Sequence, residues 1–232
     1  MDRAVRDFLL PSCPRPRAAC LGYPDLIVTE ESLRSLFGEQ AVSMWPKSKW
    51  AEEIVAWHGI PRDFGAIYDS QTLFDKYGVN ARFFDVKAHR DCEEPLDLNQ
   101  EISHDLKQAF DLLIDTGTLE HCFNVGIAFR NMCEMTSHKG IVISAAPLTK
   151  VNHGFWCFSP TAYFDGFVQN GFKVLSFLGV ISEAGKPKLI DIHPTQRVIL
   201  PPESIMIAVA RREAVQDFIW PVQSKYHTVF RK

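Results

Sequence analysis

The amino-acid sequence predicts a single α/β domain, built on a mostly parallel sheet with helices on both faces and an antiparallel strand near the C-terminus. Three observations carry this expectation. From about residue 64 short apolar runs alternate with segments of helical period, the rhythm of strand–helix–strand units. Phe110 to Ile114 is apolar almost throughout, which implies a strand buried on both faces, the habit of parallel sheets. The 232 residues, 46% of them hydrophobic, suffice for one sizeable core and would be a squeeze for two.

The elements follow in order. Pro11, Pro14 and Pro16 make the start irregular, Ala18 to Gly22 reads as a short buried strand, and Tyr23-Pro24-Asp25 as a turn. Thr29-Glu30-Glu31-Ser32 ahead of Leu33, Leu36 and Phe37 has the form of a capped helix that Gly38 stops. Trp45 to Trp57 is aromatic and charged, a loop plus helix that lies over a pocket or packs on a neighbour. Gly65-Ala66-Ile67-Tyr68 reads as a strand ending at Asp69-Ser70, and Thr72 to Tyr77 as a short helix closed by Gly78. Ala81 to Phe84, Pro95-Leu96 and Phe110 to Ile114 follow as strands, ending at Asp85, Asp97 and Asp115. Asn124 to Met135 repeats apolar residues at helical spacing, Ile141-Val142-Ile143 is the next strand, and Ser159 to Asn170 is a helix stopped by Gly171. Phe172 to Phe177 and Ser204 to Arg211 close the sheet. Residues 1–63 are read as an N-terminal extension or lid, 64–212 as the core and 213–232 as a tail, all within one domain.

Bulk properties exclude several functions. With 25 basic and 28 acidic residues the formal net charge is −3, so no polyanion surface and no nucleic-acid partner are expected. The six cysteines are scattered without a C-x-x-C pair, which gives a zinc ribbon no support and suits reduced thiols in the cytoplasm. No secretory signal and no membrane-length apolar stretch is found, so no membrane partner is expected. A small organic molecule is the default ligand, and Trp45, Trp50 and Trp57 mark either a lid or the interface of a homo-oligomer.

In open parallel sheets, ligands bind beyond the carboxyl ends of the strands. Asp69, Asp85, Asp97 and Asp115 all fall at such ends. Singly, each is also what a turn or helix cap requires. Together they form a row of acceptors suited to ribose hydroxyls, an exocyclic amine and an ammonium group.

The segment Phe110-Asp111-Leu112-Leu113-Ile114-Asp115-Thr116-Gly117-Thr118-Leu119-Glu120-His121 resembles the fourth strand and following "LEH" turn of class I S-adenosylmethionine-dependent methyltransferases. The likeness continues through Gly140 to Ile143, Pro147, His153, Phe158-Ser159-Pro160 and Asn170-Gly171-Phe172, and covers roughly residues 64–180. The tail Pro221-Val222-Gln223-Ser224-Lys225-Tyr226 is similar to an ending of such proteins. The resemblance implies a Rossmann-like fold, S-adenosyl-L-methionine as methyl donor, and a donor site at Asp69, Ser70, Asp85, Asp97, Leu98, Asp115, Thr116 and Gly117. Asp85 would take the ribose and Asp97 the adenine side.

One feature departs from the family. Its first strand normally leads into a G-x-G-x-G loop, where glycine lets the backbone approach the cofactor, and this chain has none. Gly65 to Ser70 is preferred for that place. The earlier Leu21 to Asp25 would leave about sixty residues before the next acidic strand end, against the usual ~20.

Glu120-His121 and Asn152-His153 follow neighbouring strands and should meet over the pocket. Methyl transfer to oxygen or nitrogen sheds a proton, so His153 or His121 is the expected base, oriented by Glu120. The separation of the two histidines along the chain is not diagnostic of a metal, and no metal ligands are assigned. Two other readings remain. One is a different enzyme on this scaffold, using Glu120, His121 and His153 for acid–base or metal chemistry. The other, motivated by the missing glycine loop, is a non-catalytic methyltransferase-like protein.

Overall fold

The computed structural model describes residue 13 and residues 15–59, 66–183 and 186–226. Their framework is one eight-stranded sheet: β1 (Arg17–Leu21), β2 (Asn80–Asp85), β3 (Glu93–Pro95), β4 (Phe110–Asp115), β5 (Thr136–Pro147), β6 (Phe172–Glu183), β7 (Lys186–Asp191) and β8 (Ile205–Arg212). The spatial order is β3-β2-β1-β4-β5-β8-β6-β7. Strands β1 to β5 run parallel, and the β5–β8, β8–β6 and β6–β7 pairings are antiparallel. The mixed α/β architecture is thus as the sequence predicts.

Alternating side chains of the central strands go to opposite faces, as the period of two requires. Ala19, Leu21, Leu113 and Val142 enter one core with α5 (Val125–Met135) and α6 (Pro160–Gln169). Ala18, Cys20, Leu112, Ile114, Ile141 and Ile143 enter the other, which Phe74 of α4 (Gln71–Lys76) joins. Helix α6 starts as its sequence dictates: the Ser159 hydroxyl accepts from the Thr161 amide and Pro160 takes the first turn, where no amide is needed.

The first strand of the sheet differs from the expectation. It is Arg17–Leu21, at the centre between β2 and β4. Gly65 lies outside the described residues, Ala66 and Ile67 are not in a strand, and Tyr68 makes isolated bridges to Leu26 and Lys47. The long connection from β1 to β2 is physically inexpensive, because closure entropy grows only with the logarithm of loop length. It also carries a small core of its own. Helices α1 (Glu30–Phe37), α2 (Ala41–Met44) and α3 (Ala51–His58) belong to this segment, and Leu33, Ala41, Trp45, Tyr68 and Leu73 cluster within it. Thr29 caps α1 as read, accepting from the Ser32 amide.

Strand β3 lies two residues earlier than expected, at Glu93–Pro95 rather than Pro95-Leu96. Strand β7, Lys-Pro-Lys-Leu-Ile-Asp, escaped the sequence reading. It is an edge strand, exposed along most of its length, where proline and lysine are tolerated and apolar alternation is not required. All six cysteines are free, and no helix among the described residues is long and apolar enough to cross a membrane.

Arg212 secures the junction of α5 with β5. Its buried guanidinium donates to the carbonyls of Cys133 (2.9 Å) and Thr136 (2.6 Å), at the end of the helix where carbonyls lack intrahelical partners. Arg212→Met removes both donations and leaves the Cys133 carbonyl with only the Thr136 amide. The expected cost is about 2–4 kcal/mol, read as a lower urea midpoint with unchanged slope; an unchanged midpoint would show that the cap carries no stability.

Candidate functional site

The strand order reverses direction between β1 and β4, and ligands in open α/β sheets bind in the crevice outside such a switch point. A cavity of about 660 Å³ opens there. Its floor is made by strand ends and their loops: Leu21-Gly22-Tyr23, Phe84-Asp85-Val86, Leu96 to Asn99 and Thr116-Gly117-Thr118. Its size lies within the range of small-molecule sites.

One hydrogen bond and one glycine shape the lips. The Thr118 hydroxyl donates to the Leu21 carbonyl (2.7 Å), joining the β1 and β4 loops. Gly22 has φ +73°, and a Cβ there would lie 2.9 Å from Thr118 Oγ1. Glycine is therefore required both by conformation and by space. It occupies the place that sequence reasoning assigned to Gly65–Ser70.

Beneath the floor lies Asp115, with no exposure to solvent. One carboxylate oxygen accepts from the Thr118 amide (2.9 Å) and the other from Ser144 Oγ (2.7 Å), which is 3.0 Å from the Tyr163 hydroxyl. Burial raises the Asp115 pKa, with the donated hydrogen bonds opposing. Asp115 thus holds the β4 loop rather than lining the cavity.

The other expected donor residues divide cleanly. Asp85, Asp97, Leu98, Thr116 and Gly117 line the cavity. Asp85 accepts from the Lys87 amide (3.2 Å), and Asp97 accepts from the backbone and side chain of Asn99 (2.9 Å each), contacts that hold its carboxyl below its usual pKa. Asp69 and Ser70 are not among the lining residues. Asp69 instead accepts from the Gln71 amide (2.8 Å) in the turn that leads into α4 and from the Tyr23 hydroxyl (3.3 Å), and Ser70 is buried. Their placement in the donor site rested on the strand at Gly65, which the structure replaces with β1.

Sequence reasoning missed one wall. Arg90 forms a buried ion pair with Asp25 (2.8 Å) and lies 4.6 Å from the Tyr23 ring centroid, with Trp57 of α3 at 5.5 Å. Tyr23, Asp25, Trp57, His89 and Arg90 all line the cavity. Their partners are far apart in sequence, so no local pattern announces them. The aromatic and charged character of Trp45 to Trp57 was the one available signal.

At the other end stand Glu120, His121 and His153. Glu120 and His121 lie on the single turn Leu119–His121 after β4, and His121 borders the cavity. The loop after β5 brings His153 alongside, because the Phe155 amide donates to the Glu120 carbonyl (2.8 Å) and Gly154 packs directly on that backbone. The His121 and His153 ring centroids are 5.3 Å apart. Glu120 Oε1 lies 3.6 Å from His153 Nε2, beyond hydrogen-bond range. Burial pushes the Glu120 carboxyl up to about 7, and burial lowers the His121 imidazole. At neutral pH His121 therefore offers a lone pair, and Glu120 sits between its two protonation states. The neighbourhood of these loops as the sequence implied is thus observed.

Exposed aromatic rings flank this end. Phe123 meets Phe155 edge-on (5.4 Å between centroids), and Trp156 Nε1 donates to the Cys122 carbonyl (3.0 Å). Trp156 and Phe158 also face a second, mostly apolar cavity of about 300 Å³, closed by Phe218 and Trp220 of the tail. The tail up to residue 226 docks on α6: Ile219 and Val222 bond Asn170 and Gln169, and the Ser224 amide donates to Asp165.

No family model matches this chain, and no curated protein matches it. Solved structures do. The N-methyltransferase NodS from Bradyrhizobium japonicum WM9, in complex with S-adenosyl-L-homocysteine, is similar at 10% identity and TM-score 0.49, over 90% of this chain and 84% of that one. A putative S-adenosylmethionine-dependent methyltransferase from Listeria monocytogenes is similar at 12% identity and TM-score 0.47, over 86% and 91%. A methyltransferase from Methanosarcina mazei is similar at 8% identity and TM-score 0.43, over 91% and 97%.

Gly154 tests how the two loops are joined. A Cβ there would lie 2.7 Å from the Glu120 carbonyl oxygen and 2.9 Å from its Cγ. Gly154→Ala is expected to cost about 1–3 kcal/mol through overpacking, measured by thermal unfolding. Unchanged stability would mean that the loops are not in this contact.

Proposed function

We propose that this chain is an S-adenosylmethionine-dependent methyltransferase acting on a small organic acceptor. The observation that carries the proposal is the cavity at the sheet's switch point, with acidic strand ends on one side and the Glu120–His121–His153 group on the other. The residues present fit the donor. Gly22 permits close approach of backbone at the end of β1, and the backbone of Thr116-Gly117-Thr118 forms the opposite lip. Asp85 and Asp97 offer carboxylate oxygens to hydroxyl and amine groups, and Leu98 an apolar contact. When bound, the donor supplies an electrophilic methyl group on a sulfonium sulfur.

The chain's own contribution is to hold and orient. In the transfer the acceptor's nucleophilic atom gains the methyl carbon, the sulfur–methyl bond breaks with its electron pair going to sulfur, and the acceptor's proton is lost. Glu120, His121 and His153 stand where that atom must be held and its proton shed. Phe123, Phe155 and Trp156 present apolar rings to the body of the acceptor.

Titration calorimetry with S-adenosylhomocysteine tests this. One site is expected. Asp85→Ala should weaken binding about 10-fold or more, the loss of hydrogen bonds to a charged group. Asp191→Asn, on the exposed edge strand, should leave it unchanged. Absence of binding to folded, monodisperse protein would defeat the proposal.

A further inference from the structure

We infer that Glu120, His121 and His153 form a binding site for one divalent transition-metal ion of the zinc class, at the acceptor end of the cavity. The inference rests on the proposed function only for the placement of the acceptor.

Three features converge on an ion. Each residue offers one ligand atom, and these atoms all lie within 4.8 Å of one another. Two imidazoles and one carboxylate are a donor set that zinc, iron, cobalt and nickel all accept. A tetrahedral ion with ligands at about 2.0–2.1 Å places them about 3.3 Å apart. The 3.6 Å from Glu120 Oε1 to His153 Nε2 is close to that and too long for a hydrogen bond. An ion between the two atoms would span this separation.

The second feature is independent. Glu120 Oε2 is buried and has no hydrogen-bond partner, and the side chain is only 2% exposed. A buried carboxylate oxygen without a partner is costly. A cation at this point would compensate that cost.

The third feature is access. His121 and His153 lie on the exposed side of the buried carboxylate. Three protein ligands with a solvent-facing side leave a position for substrate, the arrangement of catalytic rather than structural zinc sites. A bound ion would favour an acceptor carrying a hydroxyl or carboxylate oxygen. It would ease loss of the acceptor's proton to water.

The experiment uses chelator-treated full-length protein titrated with zinc by calorimetry and with cobalt by visible absorption. One ion per chain is expected. Glu120→Gln and His153→Asn, both of which keep the side chain's approximate shape, should weaken it at least about 10-fold, with unfolding transitions recorded to confirm that each variant is folded. No binding, wild-type affinity in both folded variants, or a thiolate-to-cobalt charge-transfer band would overturn the inference. S-adenosylhomocysteine is titrated in parallel into the metal-free protein. Binding of S-adenosylhomocysteine together with failure of both zinc and cobalt to bind overturns the metal site alone. Ion binding without S-adenosylhomocysteine binding supports the metal site and defeats the methyl-donor reading.

Discussion

The Asp115 carboxylate, fully buried at the end of β4, organises the site from below. It bonds the Thr118 amide on one side and Ser144 of β5 on the other. Thr118 in turn holds the end of β1 through the Leu21 carbonyl, so both lips of the cavity depend on one carboxylate. The same loop continues into Glu120 and His121. A buried carboxylate is tolerable only when its oxygens are satisfied, and here Ser144 and the Thr118 amide satisfy them. The hydrogen-bond set that makes Asp115 affordable in the core therefore also fixes where the candidate chemistry sits.

Two ends of the cavity differ in physical character. One end is made of strand ends, backbone and partly exposed acids. The other sets a buried carboxyl beside two exposed imidazoles, with aromatic rings around them. The segment between β1 and β2 adds Trp57 and, through the Asp25–Arg90 pair, a wall that no element of the sheet supplies. An insertion with its own core can carry such a wall without disturbing the strands beneath it.

Much of this was legible in the sequence, for definable reasons. Leu112-Leu113-Ile114 is a continuous apolar run because both faces of the strand are covered, and Val125–Met135 has a helical stripe because one face meets the sheet. The meeting of Glu120, His121 and His153 followed from adjacent strands. The strand at Ala18 to Gly22 was legible, but the sheet was started at Gly65 instead, because the expected spacing to the next acidic strand end ignored how little a long insertion costs. Asp115 was read as a ligand contact because a polar residue at a strand end looks the same whether it points up or in. The Arg90 wall was invisible because its partners are distant in sequence.

Hydrogen–deuterium exchange with and without S-adenosylhomocysteine tests the central claim most directly, since it reports where on the chain a ligand is felt. The account predicts slower exchange at Gly22-Tyr23, around Asp85 and at Thr116 to Thr118, with the edge strand Lys186–Asp191 unchanged. Protection confined to the second cavity around Phe129 and Trp220, or none at all, would contradict it.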